Sequence, residues 1–225
     1  MSDIPSKSKA RQASEDSAVA IVSVIPVVGA IAAPFLVSEL TRRHSAKRDA
    51  WLNDLERRLV QLQNEGVIDL ASLCDNEKFL ELVYFAIQEG QATLSDEKHQ
   101  LLSNVVINYS QNMSMDDDKK FIFLKYIEQF TPSHLALLKL LSDPKRFYER
   151  ANIPWPEMSM GGRMQIVNGV FSFWTREFTN LLFEDLRNGG LVQGTSLGGT
   201  MSGPGLEQSI TSILGSEFLT FIRVD

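Results

Sequence analysis

Residues 17–38 read SAVAIVSVIPVVGAIAAPFLVS, 22 positions without a charge, closed by Asp16 and Glu39. Sixteen are Ala, Val, Ile, Leu or Phe; the others are three Ser, two Pro and one Gly. A membrane-spanning helix needs about 20 apolar residues, so the length qualifies. The composition argues against a plain span. Pro26 and Pro34 each remove a backbone donor, and Gly29 between them suits a turn. A broken helix or a helical hairpin is expected, with arms too short to cross a bilayer singly. Ala18, Val22, Ile25, Pro26, Gly29, Ile31, Pro34, Phe35 and Leu36 mark a segment for membrane insertion or assembly. Burial in the protein's own core or against a partner is the alternative. Helix breakers are tolerated in lipid only where neighbours satisfy the freed carbonyls. Both readings stay open.

On the N-terminal side, residues 1–16 are polar, with Lys7, Lys9 and Arg11 offset by Asp3, Glu15 and Asp16. They read as a disordered arm. Without a basic leader region this is not a secretory signal, and the apolar run is expected to stay in the mature protein. On the C-terminal side comes a basic flank, Arg42, Arg43, Lys47 and Arg48. If the stretch spans a membrane, that flank would leave the C-terminal bulk in the cytoplasm.

The totals restrict what the rest is. A hydrophobic share of 44% over 225 residues is enough to build a core without staples. The single Cys74 excludes an internal disulfide and a Cys-rich zinc site, and reads as a small core residue. The net charge of −6 argues against nucleic-acid binding by the chain as a whole.

Residues 39–130 read as a helical body. Pro34 fits the first turn of a helix that runs to about Asn64 and stops at Gly66. Leu52, Leu55, Leu59 and Leu62 give it a seam for the body or for a second copy, with Trp51 beside it. A second helix, from about Asn76 to Gln91, carries Phe79, Leu80, Val83 and Ile87 as its apolar stripe. Ser95 reads as the cap of a third, lined by Leu101, Leu102, Val105 and Tyr109. The run Asp116-Asp117-Asp118 is consecutive rather than alternating, so it reads as a helix start, not a calcium loop. That helix would carry Phe121, Leu124 and Ile127.

Residues 131–225 read as a winged-helix-like module. Thr131-Pro132 and Asp143-Pro144 are two helix starts. A loop from Asn152 to Gly162 precedes one long helix, from about Met164 to Asn188, with Ile166, Val170, Phe173, Trp174, Phe178, Leu181, Leu182 and Leu186 apolar. Leu191-Val192 and Ser209-Ile210 are the expected strands of a short β-hairpin around a flexible wing, Gly194 to Glu207. A last helix runs from Thr211 to Ile222. From Arg163 to Asp225 there are four Arg, no Lys and six acids, and the wing has no basic residue. The module is therefore read as one for packing or protein contact, with nucleic acid not the expected partner. Lys145, Arg146 and Arg150 are the compact basic group that would contact nucleic acid if any does.

No catalytic motif is present. His44, His99 and His134 are far apart and lack metal-ligand spacing, and there is neither a nucleophile elbow nor a phosphate loop. His134 reads as a first-turn residue touching its own cap. No catalytic residue, cofactor or metal ligand is assigned, and no small-molecule substrate is evident. The expected fold class is mainly α: a multi-helix bundle with an apolar N-terminal element and the winged-helix-like end.

The layout carries one resemblance. The apolar stretch, the basic helix, the phrase Phe130-Thr131-Pro132-Ser133-His134-Leu135-Ala136-Leu137-Leu138-Lys139-Leu140-Leu141 and the ending Ile213-Leu214-Gly215-Ser216-Glu217-Phe218-Leu219-Thr220-Phe221-Ile222 resemble bacterial proteins grouped around the abortive-infection alpha domain. The resemblance covers most of the chain as an arrangement of packing motifs and transfers no catalytic residue. It implies a protein of antiviral defence, in the bacterial cytoplasm or at the cytoplasmic face of the inner membrane; with no catalytic motif in the chain, the expected function is non-enzymatic and acts through the apolar segment. The alternative is a soluble oligomeric regulator whose C-terminal module binds a protein partner or DNA.

Overall fold

The computed structural model describes residues 33–111 and 115–223, with side chains from residue 41 onward. The arm of residues 1–16 and the positions Ala18, Val22, Ile25, Pro26, Gly29 and Ile31 lie outside the described residues. Among those described, eleven helices and one two-stranded antiparallel sheet make up the regular structure. The first half comprises α1 (Ala33–Asn64), α2 (Leu70–Cys74), α3 (Glu77–Gln91), α4 (Asp96–Gln111) and α5 (Asp117–Gln129). Two short helices follow, α6 (Pro132–Ser142) and α7 (Pro144–Arg150). The last part runs β1 (Met160–Gly162), α8 (Arg163–Val170), α9 (Arg176–Asn188), β2 (Thr200–Ser202), α10 (Gly203–Glu207) and α11 (Ile213–Phe221).

Most helix ends are written locally. Gly66 has φ +72°, a left-handed conformation that costs glycine nothing. Its N–H donates to the Gln63 carbonyl at 3.0 Å, and that of Val67 reaches back to Leu62 at 2.9 Å. This pair of bonds satisfies the last carbonyls of α1. Asn76 caps α3 by accepting from the Phe79 N–H, and Ser95 accepts from Lys98 at the start of α4. Asp116 accepts from Lys119, so the acidic run does open α5, and Asp143 accepts from Arg146 in front of Pro144.

Helix α4 is the hub. Leu101 to Ile107 are all buried, as are Tyr109 and Ser110. It packs on α3, α1 and α11. A helix enclosed on all sides carries no clean stripe, and its polar residues must then be bonded internally. One continuous apolar core extends from Trp51 to Ile222.

The structure turns several expected faces. In α3 the buried line is Phe79, Leu82, Ala86 and Gly90, while Leu80 points to solvent. In α5 Phe121 is exposed, and Lys120 takes the inward position at 1% exposure. The Lys120 ammonium lies 3.7 Å from Asp117 and 3.9 Å from Glu81, above the Tyr109 ring. Cys74 is exposed, not a core residue.

The C-terminal part departs further. The long helix expected over 164–188 is two, α8 and α9. Thr175 caps the second by accepting from Phe178, and Phe171 ends the first. The break suits packing: the Tyr148 hydroxyl reaches in to donate to the Ile166 carbonyl at 2.6 Å. A Cβ on Gly169 would sit 2.1 Å from that hydroxyl. The sheet pairs β1, from the expected loop, with β2, from the expected wing, Gly161 opposite Met201. Leu191-Val192 and Ser209-Ile210 approach each other only at a single antiparallel bridge, Val192 to Thr211. The wing also folds α10, with Pro204 in its first turn and Ser202 as its cap. Arg163 is buried and ties this unit shut, donating to the carbonyls of Gln208 at 2.8 Å and Gly205 at 3.0 Å.

Candidate functional site

Two regions are candidates for function: the seat of α1, and a basic cleft lined by α6, α7 and the end of α11. In α1, Pro34, Phe35 and Leu36 fall within the helix, so the end of the apolar stretch continues into the Leu-seamed part without a break. Trp51 and Leu55 are buried, and Leu52, Leu59 and Leu62 pack against the core. The seam therefore faces the body. Trp51 stacks on His99 with ring centroids 5.0 Å apart and donates its indole N–H to Ser103 at 2.8 Å. His99 Nε2 donates to the Gly90 carbonyl at 2.9 Å. A Cβ on Gly90 would lie 2.3 Å from the indole, so only glycine admits Trp51 here.

The basic flank is divided by the fold. Lys47 donates to the Leu94 carbonyl at 2.9 Å and pairs with Asp96 at 2.8 Å, fastening α1 to the start of α4. The Lys47 hydrogen bond, and then its charge, hold Asp96 below the usual carboxylate range. Arg48 pairs with its neighbour Asp49. Arg42 and Arg43 are exposed and also have interactions. Among the described residues no helix is long and apolar enough to cross a membrane.

The basic cleft has a volume of about 620 Å³ and is lined by α6, α7 and the end of α11. Arg146 and Arg150, four apart on α7, share one face of that helix. Lys139 of α6 and Arg223, just past α11, join them. Asp143 is the one carboxylate in the lining, and it is engaged as the cap of α7. Among the described residues no carboxylate pairs with Lys139, Arg146 or Arg150. Partial desolvation, and then the charge of Arg150, push Lys139 below the ordinary lysine value, although its side chain is solvent-exposed. Lys145 is not part of this group: it pairs with Glu207 at 2.9 Å and braces α10. Of the three basic residues singled out from sequence, two converge and one is structural. Lys139 and Arg223 were missed. The available signal was that Lys139 is the single Lys or Arg in the apolar run of α6.

Lys139 and Phe147 also wall a second, adjoining pocket of about 450 Å³, mostly apolar, with Leu101, Phe130, Leu135 and Ile222 in its lining. Behind both, α4 holds the end of α11. Asn108 donates to the carbonyls of Phe221 at 2.9 Å and Arg223 at 2.8 Å. Asn104 donates to Ile222 at 3.4 Å and accepts from Arg58 of α1 at 3.3 Å. A third cleft, of about 880 Å³ between α4 and α11, has its charges closed internally by the Lys119–Glu217 pair at 2.9 Å.

His134 touches its own cap as the sequence suggests. Its Nδ1 accepts from the Thr131 N–H at 3.1 Å, and its Nε2 donates to Asp185 at 3.2 Å. Among the described residues no three His, Cys, Asp or Glu side chains gather where a metal ion would fit. Comparison with protein-family models, with curated proteins and with solved structures found no match.

Proposed function

We propose that this chain is a non-enzymatic bacterial defence protein of the abortive-infection kind, acting through its apolar N-terminal segment at a membrane or in an assembly. The observation that carries the reading is α1. One helix joins the end of the apolar segment to the docked Trp51 and Leu55, so the seat of α1 governs where the segment is presented. Burying the segment's apolar area is worth about 25 cal/mol per Å², so its exposure needs a trigger with differential affinity for the two states.

The test is a deletion of residues 17–32 that leaves α1 from Ala33 onward. Full-length protein is expected in the membrane fraction of phage-challenged cells, with growth arrest. The deletion is expected in the supernatant and inactive. Equal activity of the two forms would overturn the proposal.

A second reading rests on a different surface. Phe173, just ahead of α9, and Phe178, in its first turn, stand exposed against Trp174, and Leu181 is exposed further along the helix, with Phe173 79% exposed. Exposed aromatics of this kind suit a protein partner or a second copy. On this reading residues 131–225 form the winged-helix-like module of a soluble regulator; the Val192–Thr211 bridge ahead of α11 supports that topology. Size measurement without detergent discriminates. A defined oligomer that Leu181→Ser dissociates supports this reading, and a monomer unaffected by the change sinks it.

A further inference from the structure

We infer that residues 17–32 fold back onto the apolar groove between α4 and α6 and are held there until a trigger frees them. This rests on the role proposed for the apolar segment and adds where the segment sits before release.

Three observations converge. First, the groove and the segment match in chemistry. The groove holds about 450 Å³, and Leu101, Phe130, Leu135, Ala136, Phe147 and Ile222 form its apolar walls. The charged groups in its lining need no occupant. Lys98 lies 3.4 Å from Glu89 and donates to the Glu128 carbonyl at 3.1 Å, Glu97 accepts from Ser95 at 2.8 Å, and Lys139 is solvent-exposed. What the groove offers is apolar area, and residues 17–32 are an apolar run without a charge. Covering one with the other takes both out of water. Second, α1 brings the segment to this side of the body. Helices α1 and α4 run side by side in one direction: Lys47 meets Asp96, Trp51 meets Ser103, and Arg58 meets Asn104. Gln100 lies both between α1 and α4 and in the wall of the groove, so groove and α1 are neighbours on α4. Third, the length suffices. The helical rise puts Ala33 about 21 Å upstream of Lys47, and the groove follows α4 from Glu97 to Asn104 for about 10 Å. Residues 17–32, fully extended, cover about 53 Å. The segment can therefore return along α1 and still line the groove. Pro26 and Gly29 provide the break in helix that such a return needs. Attachment to α1 keeps the segment at high local concentration over the groove, which favours it over a free apolar molecule.

The experiment is disulfide trapping in the full chain, with the exposed Cys74 changed to Ser so that the introduced cysteines are the only ones. Ala136→Cys in the groove is combined in turn with Val22→Cys and with Ile25→Cys in the segment. Mild oxidation is expected to close an intramolecular disulfide in at least one of the two pairs, read by mobility without reductant and by peptide mass spectrometry. The same segment cysteines combined with Ser216→Cys, in the cleft between α4 and α11, are expected to stay open. Ala136→Phe, which fills the groove, is expected to raise binding to vesicles of phosphatidylethanolamine and phosphatidylglycerol about ten-fold, with circular dichroism and Tm unchanged. The inference is overturned if neither groove pair closes, if Ser216→Cys closes as readily, or if the disulfide forms only between two chains, which would place the segment on a second copy. Vesicle binding of a folded Ala136→Phe protein equal to that of the parent overturns it too. None of these results touches the role of the segment at a membrane, which falls only if the deletion of residues 17–32 stays active.

Discussion

The seat of α1 and the basic cleft use the same residue types to opposite ends. At the seat, Lys47, Asn104 and the rings of Trp51 and His99 find partners inside the chain, and Arg58 donates to Asn104 through one of its two terminal nitrogens. At the cleft, Arg146 and Arg150 stand beside Lys139 with no carboxylate of their own. Polar groups that close on one another hold a fold together. Charges that face solvent, as those of Arg146 and Arg150 do, hold little of the fold together. The contrast separates positions whose loss should unfold the protein from positions whose loss should leave it folded.

The sharpest way to break the contrast is Trp51→Ala. Removing a buried indole should cost about 3–5 kcal/mol, and each kcal/mol lowers Tm by roughly 2–4 °C in a chain of this size. Calorimetry or thermal circular dichroism reads it, and an unchanged Tm would mean that α1 is not docked. Gly90→Ala attacks the same seat from the other side. Its Cβ would overlap the indole, and overpacking of this kind costs about 1–3 kcal/mol. Asn104→Ala leaves the Ile222 carbonyl and part of Arg58 without their partner, for a loss of about 1–2 kcal/mol by urea unfolding.

Acid gives a smaller and graded effect. The hydrogen bond from Lys47 holds Asp96 below its ordinary value in the folded chain. The unfolded chain therefore takes up this proton at higher pH than the folded one. The contribution is full above about pH 4 and is lost as pH falls through the folded value. Asp96→Asn should flatten part of the acid limb of a Tm-against-pH curve while leaving the neutral region near wild type. The smallest effect belongs to the cleft. Arg146→Gln should stay within about 0.5 kcal/mol of the parent, and a large loss would place Arg146 in the structural class instead.

How much of this was legible follows the range of the interaction. Caps and stops act within four residues, and Gly66, Asn76, Ser95, Thr131-Pro132 and Asp143-Pro144 were all readable. The inward face of α3 was not, because Leu80 and Leu82 are equally apolar and only the position of Trp51 over Gly90 decides between them. Nor was the break between α8 and α9. Phe173 and Phe178 continue a helical spacing, while Thr175 offers a cap that the Tyr148 contact makes worthwhile. The pairing of Gly161 with Met201 joins residues forty apart with no alternating pattern in either strand. The cleft follows the same rule. Arg146 and Arg150 are neighbours in sequence and were seen, whereas Lys139 and Arg223 meet them only because α6 and α11 pack together.

The Trp51–His99 stack also gives the molecule an optical gauge. An imidazole against an indole quenches its emission, and a buried indole emits at shorter wavelength than one in water. In a chain with Trp155 and Trp174 replaced by Phe, the remaining signal reports α1 alone. Departure of the helix from its seat would brighten and red-shift that single emitter, in solution or beside a vesicle, without any label.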